Sequence, residues 1–381
     1  MIQTPVPPRA AYVHIPFCVS KCHYCDFDSF AGLEALFDDY TRALIMEIER
    51  SARSDGPALD SVYFGGGTPT VLAADALSSI LEALDSRLGI APQAEITVEA
   101  NPGTIDQSKA AGLRASGFNR LSLGVQSFDD ALLSRIGRVH TSRDAIEAYR
   151  AVRLAGFRNV GIDLIFALPG QTPRHWHDTL DIALDLDPEH ISLYELTIEP
   201  GTRFAQMRAN GLLHLPDEDS KLEMYRSATE RLTSAGYEHY EVSNFARAGF
   251  RSRHNQAYWR NESWYGFGSG ATSYLAGVRS RRVRDPREYV RRVFSGEDPV
   301  DSSEEPTGRL LLGETLMLGL RMLDGVDLDH VQAHTGADVL SEFSAEIADL
   351  VERGLVELTD RRLKVTRRGL LLLDDVVQAF L

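Results

Sequence analysis

Three cysteines, the only ones among the 381 residues, lie close together near the start of the sequence. Cys18, Cys22 and Cys25 have the spacing C-x3-C-x2-C and follow a short apolar run that is typical of a strand. Thiolates that are this close in sequence can converge on one metal centre when a loop carries them. Because three protein ligands do not complete a four-coordinate site, one position at this centre is left for an exchangeable ligand.

Two kinds of metal centre fit these residues. A [4Fe–4S] cluster held by three cysteines has one iron atom without a protein ligand, and a small molecule can bind to that iron. Zinc bound by the cysteines together with His14 or His23 is the alternative, although structural zinc sites usually consist of two separated ligand pairs. Disulfides do not fit an odd number of closely spaced cysteines in a chain of this length.

The composition is that of an ordinary globular protein, with 43% hydrophobic and 25% charged residues. The formal net charge of −15 argues against general nucleic-acid binding, which needs a basic surface. The first ten residues lack a basic start followed by an apolar run, and no window reaches about 18 uninterrupted apolar residues. We therefore expect a cytoplasmic protein, where thiols stay reduced and can hold iron and sulfide.

Short apolar runs alternate with longer stretches of helical periodicity up to about residue 200. The predicted strands are Ala11–Phe17, Ser61–Gly65, Glu95–Ala100, Arg120–Val125, Asn159–Phe166 and His190–Thr197. The predicted helices are Leu33–Arg53, Ala74–Leu88, Ser142–Ala155 and Pro173–Leu186. Six βα units of this kind predict an α/β fold, an incomplete TIM-like (β/α)6 barrel that is two units short of closure.

Unusual residues follow several of these strands, at the edge where parallel α/β folds build their sites. Three glycines precede Thr68 in the run GGGTP, and they allow the backbone to approach a ligand closely or simply form a tight turn. Glu99 and Asp163 are acidic residues inside apolar strands, where a carboxylate is costly unless it is paired or binds a ligand. Arg138 follows Gln126 and can pair with a carboxylate, although most single arginines lie on the surface.

Four motifs resemble one family. The stretches YVHIPFCVSKCHYCDF, GGGTPT, GVQSF and DLIFALPGQT are similar to those of radical S-adenosylmethionine (SAM) enzymes, and together they resemble the oxygen-independent coproporphyrinogen III dehydrogenase family, which includes related heme chaperones. The resemblance implies a [4Fe–4S] cluster on the three cysteines with SAM chelated to its open iron. The SAM contacts that it implies are Tyr12, Tyr24, Gly66, Gly67, Thr68, Glu99, Gln126, Arg138 and Asp163.

Two departures from the dehydrogenase pattern favour the heme-chaperone branch of this family. Phe27 occupies the position of a further cysteine, and only 17 residues precede Cys18 where the dehydrogenases have a longer covering segment. The run H-N-x-x-Y-W resembles a chaperone signature associated with heme, because imidazole can ligate heme iron and aromatic rings suit a porphyrin face. Its residues are His254, Asn255, Tyr258 and Trp259. The alternative is a structural histidine packed among aromatic rings against the barrel.

We predict three regions, namely the barrel (1–240), an aromatic, glycine-rich and arginine-rich extension (241–305) and a winged-helix-like α+β domain (306–381). Within them, Pro216–Ala235 should form a helix and Tyr237–Phe245 a seventh strand. Arg279–Arg292 should be a solvated helix face or a basic surface for heme propionates or an acidic partner, followed by a linker at Asp298–Pro306. With 13 acidic and 8 basic residues, the last 75 residues suit a protein contact or a lid better than DNA.

The resemblance therefore implies a chaperone that binds heme and passes it to acceptor hemoproteins, among them membrane-associated respiratory enzymes. The alternative function is oxidative decarboxylation of coproporphyrinogen III started by a 5′-deoxyadenosyl radical, so the sequence leaves open whether the protein is an enzyme. A winged-helix regulator that senses iron–sulfur or heme status is the third class, and the acidic charge disfavours it. Whether the chain forms a homodimer is also left open.

Overall fold

A computed structural model describes residues 7–51 and 56–381 of the chain. The start of the barrel region before residue 7 and the predicted end of the first helix at Arg53 lie outside the described residues. Within the described ranges, no helix is both long enough and apolar enough to span a membrane.

The chain forms many strands and helices, numbered here in chain order. The strands are β1 Ala10–Ile15, β2 Phe17–Cys18, β3 Phe30–Ala31, β4 Leu59–Gly66, β5 Ile90–Ala100, β6 Arg120–Gln126, β7 Val160–Phe166, β8 His190–Glu195, β9 Glu238–Glu241, β10 Asn244–Ala246, β11 Trp264–Phe267, β12 Thr272–Leu275, β13 Val278–Arg282, β14 Val300–Glu304, β15 Val326–Asp327, β16 Val356–Thr359 and β17 Arg362–Val365. The helices are α1 Phe37–Arg50, α2 Ala74–Leu88, α3 Gln107–Ala115, α4 Asp130–Arg135, α5 Ser142–Leu154, α6 Pro173–Leu186, α7 Arg203–Ala209, α8 Glu218–Ser234, α9 Arg253–Trp259, α10 Pro286–Ser295, α11 Gly308–Gly319, α12 Leu328–Thr335, α13 Val339–Glu342, α14 Ser344–Glu352, α15 Arg367–Leu370 and α16 Leu373–Gln378.

The predicted barrel is confirmed. Strands β1, β4, β5, β6, β7 and β8 are parallel neighbours in that order, and helices connect them. The helices cover the outer face of this sheet, which explains the apolar residues that recur along these strands. The main core fills the space between the sheet and α1, α2, α3, α5 and α6 with Val, Leu, Ile and Phe. All parallel strands therefore end at one rim, where the unusual residues meet.

The sheet continues well beyond the six predicted strands to a total of 12. Strand β11 lies parallel to β1, with Ala10 paired to Trp264 and Val13 to Phe267. Strands β12, β13 and β14 extend that edge as an antiparallel meander. The aromatic and glycine-rich extension predicted at 241–305 therefore contributes β11 to the barrel wall, and one sheet contains strands on both sides of residue 240.

Two predictions in this region are wrong. The seventh strand at 237–245 is instead a hairpin of β9 and β10, and β10 runs antiparallel to β8. A hydrogen bond from the Ser243 amide to Glu241 Oε2 (3.3 Å) closes the turn between them. The stretch expected to be a linker contains β14, whose residues pair with β13 and so satisfy their backbone groups at the sheet edge.

The arginine-rich stretch 279–292 is not one solvated helix face, because it forms β13 and part of α10. Its side chains are paired with carboxylates of the same chain. The pairs are Arg279 with Glu304 and Glu314, Arg281 and Arg284 with Asp28, Arg282 with Glu47, and Arg291 and Arg292 with Glu288. The basic charge of this stretch is therefore largely neutralised internally, and two of its arginines tie the extension to the cysteine loop through Asp28.

The last region has its own core, built from α11 to α16 and a small antiparallel sheet with the order β15-β17-β16. Its buried side chains include Leu316, Val331, Phe343 and Leu363. Helices followed by a hairpin confirm the winged-helix-like α+β arrangement. A backbone bridge between Glu241 and Met322 connects this region to the hairpin beside β8.

Candidate cofactor site at the carboxyl ends of the strands

The three cysteines lie on the segment that leaves β1, and all three line one cavity of about 360 Å³ in the barrel. Cys18 ends β2, which pairs with β3, while Cys22 and Cys25 lie on the loop between them. The loop is held in place by a hydrogen bond from the His23 amide to the Ile136 carbonyl (3.0 Å). The cysteines are therefore brought to the cavity wall by a structured loop.

The charge state of the thiols depends on a positive partner. Burial raises the pKa of the Cys18 and Cys25 thiols, so that without a cation the neutral forms are favoured. Iron ions supply the positive charge that stabilises buried thiolates. The donor set therefore fits an iron–sulfur cluster.

The zinc alternative is weakened by the partners of its two histidines. The His14 ring is bonded to the Tyr12 hydroxyl (2.9 Å) and the Asp28 carbonyl (2.9 Å). The His23 ring is bonded to the Arg135 carbonyl (3.0 Å) and to Arg203 (2.8 Å). In residues 7–51 and 56–381, no three His, Cys, Asp or Glu side chains, the three cysteines included, already have the arrangement that holds a single metal ion.

The glycine loop after β4 packs directly against the cysteine loop. A Cβ atom on Gly67 would lie 2.5 Å from the Phe17 carbonyl oxygen and 3.0 Å from Cys18 Sγ, so no side chain fits there. Gly66 has a φ of 116°, a conformation that favours glycine. Thr68 Oγ1 lies 3.7 Å from Cys18 Sγ and accepts a hydrogen bond from Asn101 Nδ2 (2.7 Å). Backbone amides in such a loop can approach a ligand closely.

Glu99 and Asp163, the two acidic strand residues, both line the cavity. The Tyr63 hydroxyl donates to Glu99 Oε1 (2.7 Å), and the Ser122 hydroxyl donates to Asp163 (3.1 Å). Burial raises the pKa of Glu99 to about 7, with the negative charge of Asp163 adding to the effect of burial. Burial also raises the pKa of Asp163. Carboxylates in this environment suit hydrogen-bond donors of a ligand.

Arg138 reaches from the segment after β6 back to the cysteine loop. Its Nη1 atom lies 3.5 Å from Cys22 Sγ, and its Nη2 atom donates to Asn101 Oδ1 and the Gly124 carbonyl. Gln126 ends β6 with a φ of 69°, and its buried Oε1 has no hydrogen-bond partner in the described part of the chain. Both side chains therefore present polar groups to the cavity beside the cysteines.

Asn101 is a cavity residue that our sequence reasoning did not assign. It connects Thr68 of the glycine loop with Arg138, because its amide group bonds to both side chains. An asparagine directly after a buried strand and before a proline was the available signal, since this position lies at the same rim as Glu99.

The two predicted tyrosines differ in position. Tyr24 lines the cavity between the cysteines. Tyr12 is not among the cavity-lining residues, since its hydroxyl is bonded to His14 and its ring stacks on Tyr63 with the centroids 6.3 Å apart. Tyr24 can contact a ligand directly, whereas Tyr12 supports the wall behind Tyr63.

The predicted heme segment forms α9, whose first amides are capped by the carboxylate of Glu95. His254 is only 1% exposed. Its Nδ1 atom is bonded to Ser61 Oγ (3.1 Å), its ring stacks on Tyr63 at 5.1 Å, and its buried Nε2 atom has no partner in the described residues. Burial and then the charge of Arg120 lower the pKa of His254 to about 3, so this imidazole is neutral at physiological pH.

The other three residues of this segment point to different surroundings. Asn255 lines the same cavity as the cysteines. Tyr258 packs edge-on against His254 (4.8 Å) and Trp264 (4.7 Å). Trp259 instead lines a second cavity of about 480 Å³ between α9 and the C-terminal region. The structure thus brings Asn255, but not His254, Tyr258 or Trp259, to the cysteine cavity.

Comparison with known proteins agrees with this architecture. Residues 12–183 match the model of the Radical SAM superfamily, and residues 309–372 match that of the HemN C-terminal domain. Among solved structures, coproporphyrinogen III oxidase (HemN) from Escherichia coli, a radical SAM enzyme, is similar with a TM-score of 0.85 at 26% identity, covering 99% of this chain and 91% of that one.

Curated relatives match over nearly the whole length. The heme chaperone HemW of Bacillus subtilis (strain 168) is 38% identical, over 98% of this chain and 99% of that protein. The heme chaperone HemW of Escherichia coli (strain K12) is 33% identical, over 99% of both chains. Sequence similarity of this extent, together with the shared barrel and C-terminal region, shows that the chain belongs to the HemW family within the radical SAM superfamily.

Proposed function

We propose that the cavity holds a [4Fe–4S] cluster on Cys18, Cys22 and Cys25 with SAM beside it. The observation that carries the proposal is the meeting of the three thiols, the glycine loop and two buried carboxylates in one cavity at the strand ends. When bound, the cluster supplies an iron atom for SAM and an electron when it is reduced.

The cavity residues have distinct roles in this proposal. Arg138 pairs with the SAM carboxylate. The amino group of SAM lies close to the glycine loop, next to the backbone amides of Gly66 and Gly67 and to Thr68. The polar groups of the nucleoside form hydrogen bonds with Glu99, Gln126 and Asp163, and the Tyr24 ring lies against the nucleoside. Tyr12 acts through Tyr63 in this arrangement.

We further propose that the protein is a chaperone that binds heme and transfers it to acceptor hemoproteins. Support comes from the full-length similarity to proteins named heme chaperone HemW. Phe27 also supports it, because an exposed phenyl ring stands at the cavity where the dehydrogenase pattern has a thiol. An apolar ring at the entrance suits a porphyrin face better than it suits metal ligation.

The similarity to HemN keeps one enzymatic alternative, the decarboxylation of coproporphyrinogen III. Anaerobically reconstituted protein should be incubated with SAM, a reductant and coproporphyrinogen, and in parallel loaded with heme and mixed with an apo-hemoprotein. We expect heme transfer and no protoporphyrinogen. Formation of protoporphyrinogen would establish the enzyme instead.

Heme iron in this proposal is ligated through the segment that starts at His254. The unpartnered Nε2 atom supports this, since a histidine whose other nitrogen is held by a hydrogen bond is oriented as metal-bound histidines are. We expect His254→Ala to lose the visible spectrum of ligated heme while keeping its iron–sulfur content. Tyr265→Phe, on the neighbouring strand β11, is the matched control. An unchanged heme spectrum in His254→Ala would place the ligand elsewhere.

SAM binding should depend on pH through Glu99. Because the pKa of Glu99 is about 7, its carboxyl group is mostly protonated at pH 6 and mostly ionised at pH 8. If the ionised form accepts hydrogen bonds from SAM, affinity should rise about tenfold over this range. Titration calorimetry of the cluster-loaded protein measures it, and Glu99→Gln should lose that part of the pH dependence. The same slope in both proteins would remove Glu99 from the site.

Without ligand, the contribution of Glu99 to the stability of the fold should decrease as the pH rises. The pKa of Glu99 is raised above that of an unfolded glutamate, so its contribution is fully present below about pH 4.5. That contribution is lost as the pH rises through about 7, because the buried carboxylate must then ionise.

A further inference from the structure

The cavity extends from the rim deep into the barrel. Residues at every second position of β6 line it, namely Arg120, Ser122, Gly124 and Gln126. A parallel strand rises about 3.3 Å per residue, so the seven residues of β6 span roughly 20 Å. Closed TIM barrels fill this space with layers of branched apolar side chains, whereas this one leaves a cavity to which several polar side chains contribute.

We call the deeper half the lower lumen. It is lined by Tyr63, Arg120, Ser122, His190, Ser192 and Asn255. Gly161 of β7 lies next to two of these side chains, since a Cβ atom there would be 3.4 Å from Ser122 Oγ and 3.5 Å from His190 Nδ1.

Arg120 is the unusual residue of the lower lumen. It is 2% exposed, and its buried Nε atom has no hydrogen-bond partner among the described residues. A guanidinium group has five N–H donors, and burial of such a charge without partners is costly. Buried polar groups in folded proteins nearly always have a partner, so this one calls for an explanation.

The carboxylates around Arg120 are already engaged. Burial alone would lower the pKa of Arg120, but the negative charge of Glu95 and, more weakly, that of Asp163 raise it, although the oxygen atoms of both carboxylates are bonded elsewhere. Glu95 accepts hydrogen bonds from the amides of Arg253 (3.0 Å) and His254 (3.2 Å) and so caps α9. Asp163 accepts from Ser122 (3.1 Å). The neighbouring His190 Nδ1 is a second buried atom without a partner in the described chain.

We propose that the lower lumen is a carboxylate-binding site, in which Arg120 forms an ion pair with a carboxylate on a short flexible arm of the ligand. A planar fork of N–H donors matches a carboxylate in bidentate geometry. The inference rests on the proposed function, which supplies such an arm in the propionates of a tetrapyrrole. His254 and Asn255 of the predicted heme segment border the same end of the barrel, because Asn255 lines the lumen and Arg120 acts on His254.

The test compares a porphyrin acid with its neutral ester. Protoporphyrin IX without iron needs no axial ligand, and its dimethyl ester lacks the two negative charges. We expect wild-type protein to bind the acid about tenfold or more tightly than the ester, as for a charge-assisted hydrogen bond. Fluorescence titration measures both affinities. Equal affinities in the wild type would overturn the proposal without any variant.

Arg120→Gln separates binding from folding. It should lower the affinity for the acid to that for the ester and leave SAM affinity unchanged, and a thermal midpoint of ligand-free protein close to that of wild type should show that the variant is folded. Arg143→Gln, an exposed arginine of α5, is the control. A lower thermal midpoint, with an equal loss of affinity for the acid and the ester, would show that Arg120 has a purely structural role. A loss of SAM affinity alone would show that the Arg120 charge serves SAM. Either result overturns the proposal.

These experiments distinguish failure of the carboxylate site from failure of the chaperone function. If the protein does not bind or transfer heme but binds protoporphyrin IX through Arg120, the chaperone proposal fails and the carboxylate site stands. If Arg120→Gln transfers heme normally and its affinity for protoporphyrin IX is unchanged, the chaperone proposal stands and the carboxylate site fails.

Discussion

Cys22→Ser should leave the anaerobically reconstituted protein without its iron–sulfur cluster. Wild-type protein should contain about four iron and four sulfide per chain, and the variant should fall close to zero, because two remaining thiolates do not hold this cluster. The chain has no other cysteine that could substitute. Iron and sulfide analysis, with the visible absorption of the cluster, measures the loss.

Val19→Ala is the matched control, since this side chain lies on the same loop and is 60% exposed. It should keep full iron content. Zinc bound in equal amount to the protein, with no iron absorbance in the wild type, would contradict the cluster and return the site to the zinc alternative.

The second large effect is expected for Arg138→Ala in SAM binding. Loss of the ion pair with the SAM carboxylate should weaken binding by about 1.5–3 kcal/mol, or roughly 10- to 150-fold. The SAM affinity of Arg138→Lys should lie between those of wild type and Arg138→Ala, because lysine keeps the charge but not the fork of N–H donors. Calorimetric titration of cluster-loaded protein gives the affinities.

Iron content must be measured in the same samples, since Arg138 also contacts Cys22 Sγ (3.5 Å). Arg143→Ala, five residues later and paired only with Glu147 on the surface of α5, should bind SAM normally. SAM affinity that is unchanged in Arg138→Ala with full iron content would move the SAM carboxylate away from this rim.

The sequence alone determined the barrel and the place of its cofactor site. Helix and strand periodicity are local signals, and they located α2 and α6 at their observed bounds, Ala74–Leu88 and Pro173–Leu186. Parallel strands must end at one edge, so the cysteines, the glycine loop, Glu99 and Asp163 could be placed together without coordinates.

Contacts between distant segments are visible in the folded chain and not in its sequence. Strand β11 joins β1 across about 250 residues, and Asp28 pairs with Arg281 and Arg284 over a similar separation, so neither contact leaves a trace in local periodicity. The burial of individual polar side chains was also set by these distant contacts. His254 and Arg120 look like ordinary polar residues in the sequence. They are an enclosed imidazole and a buried guanidinium group only because strands and α9 from distant parts of the chain close around one lumen.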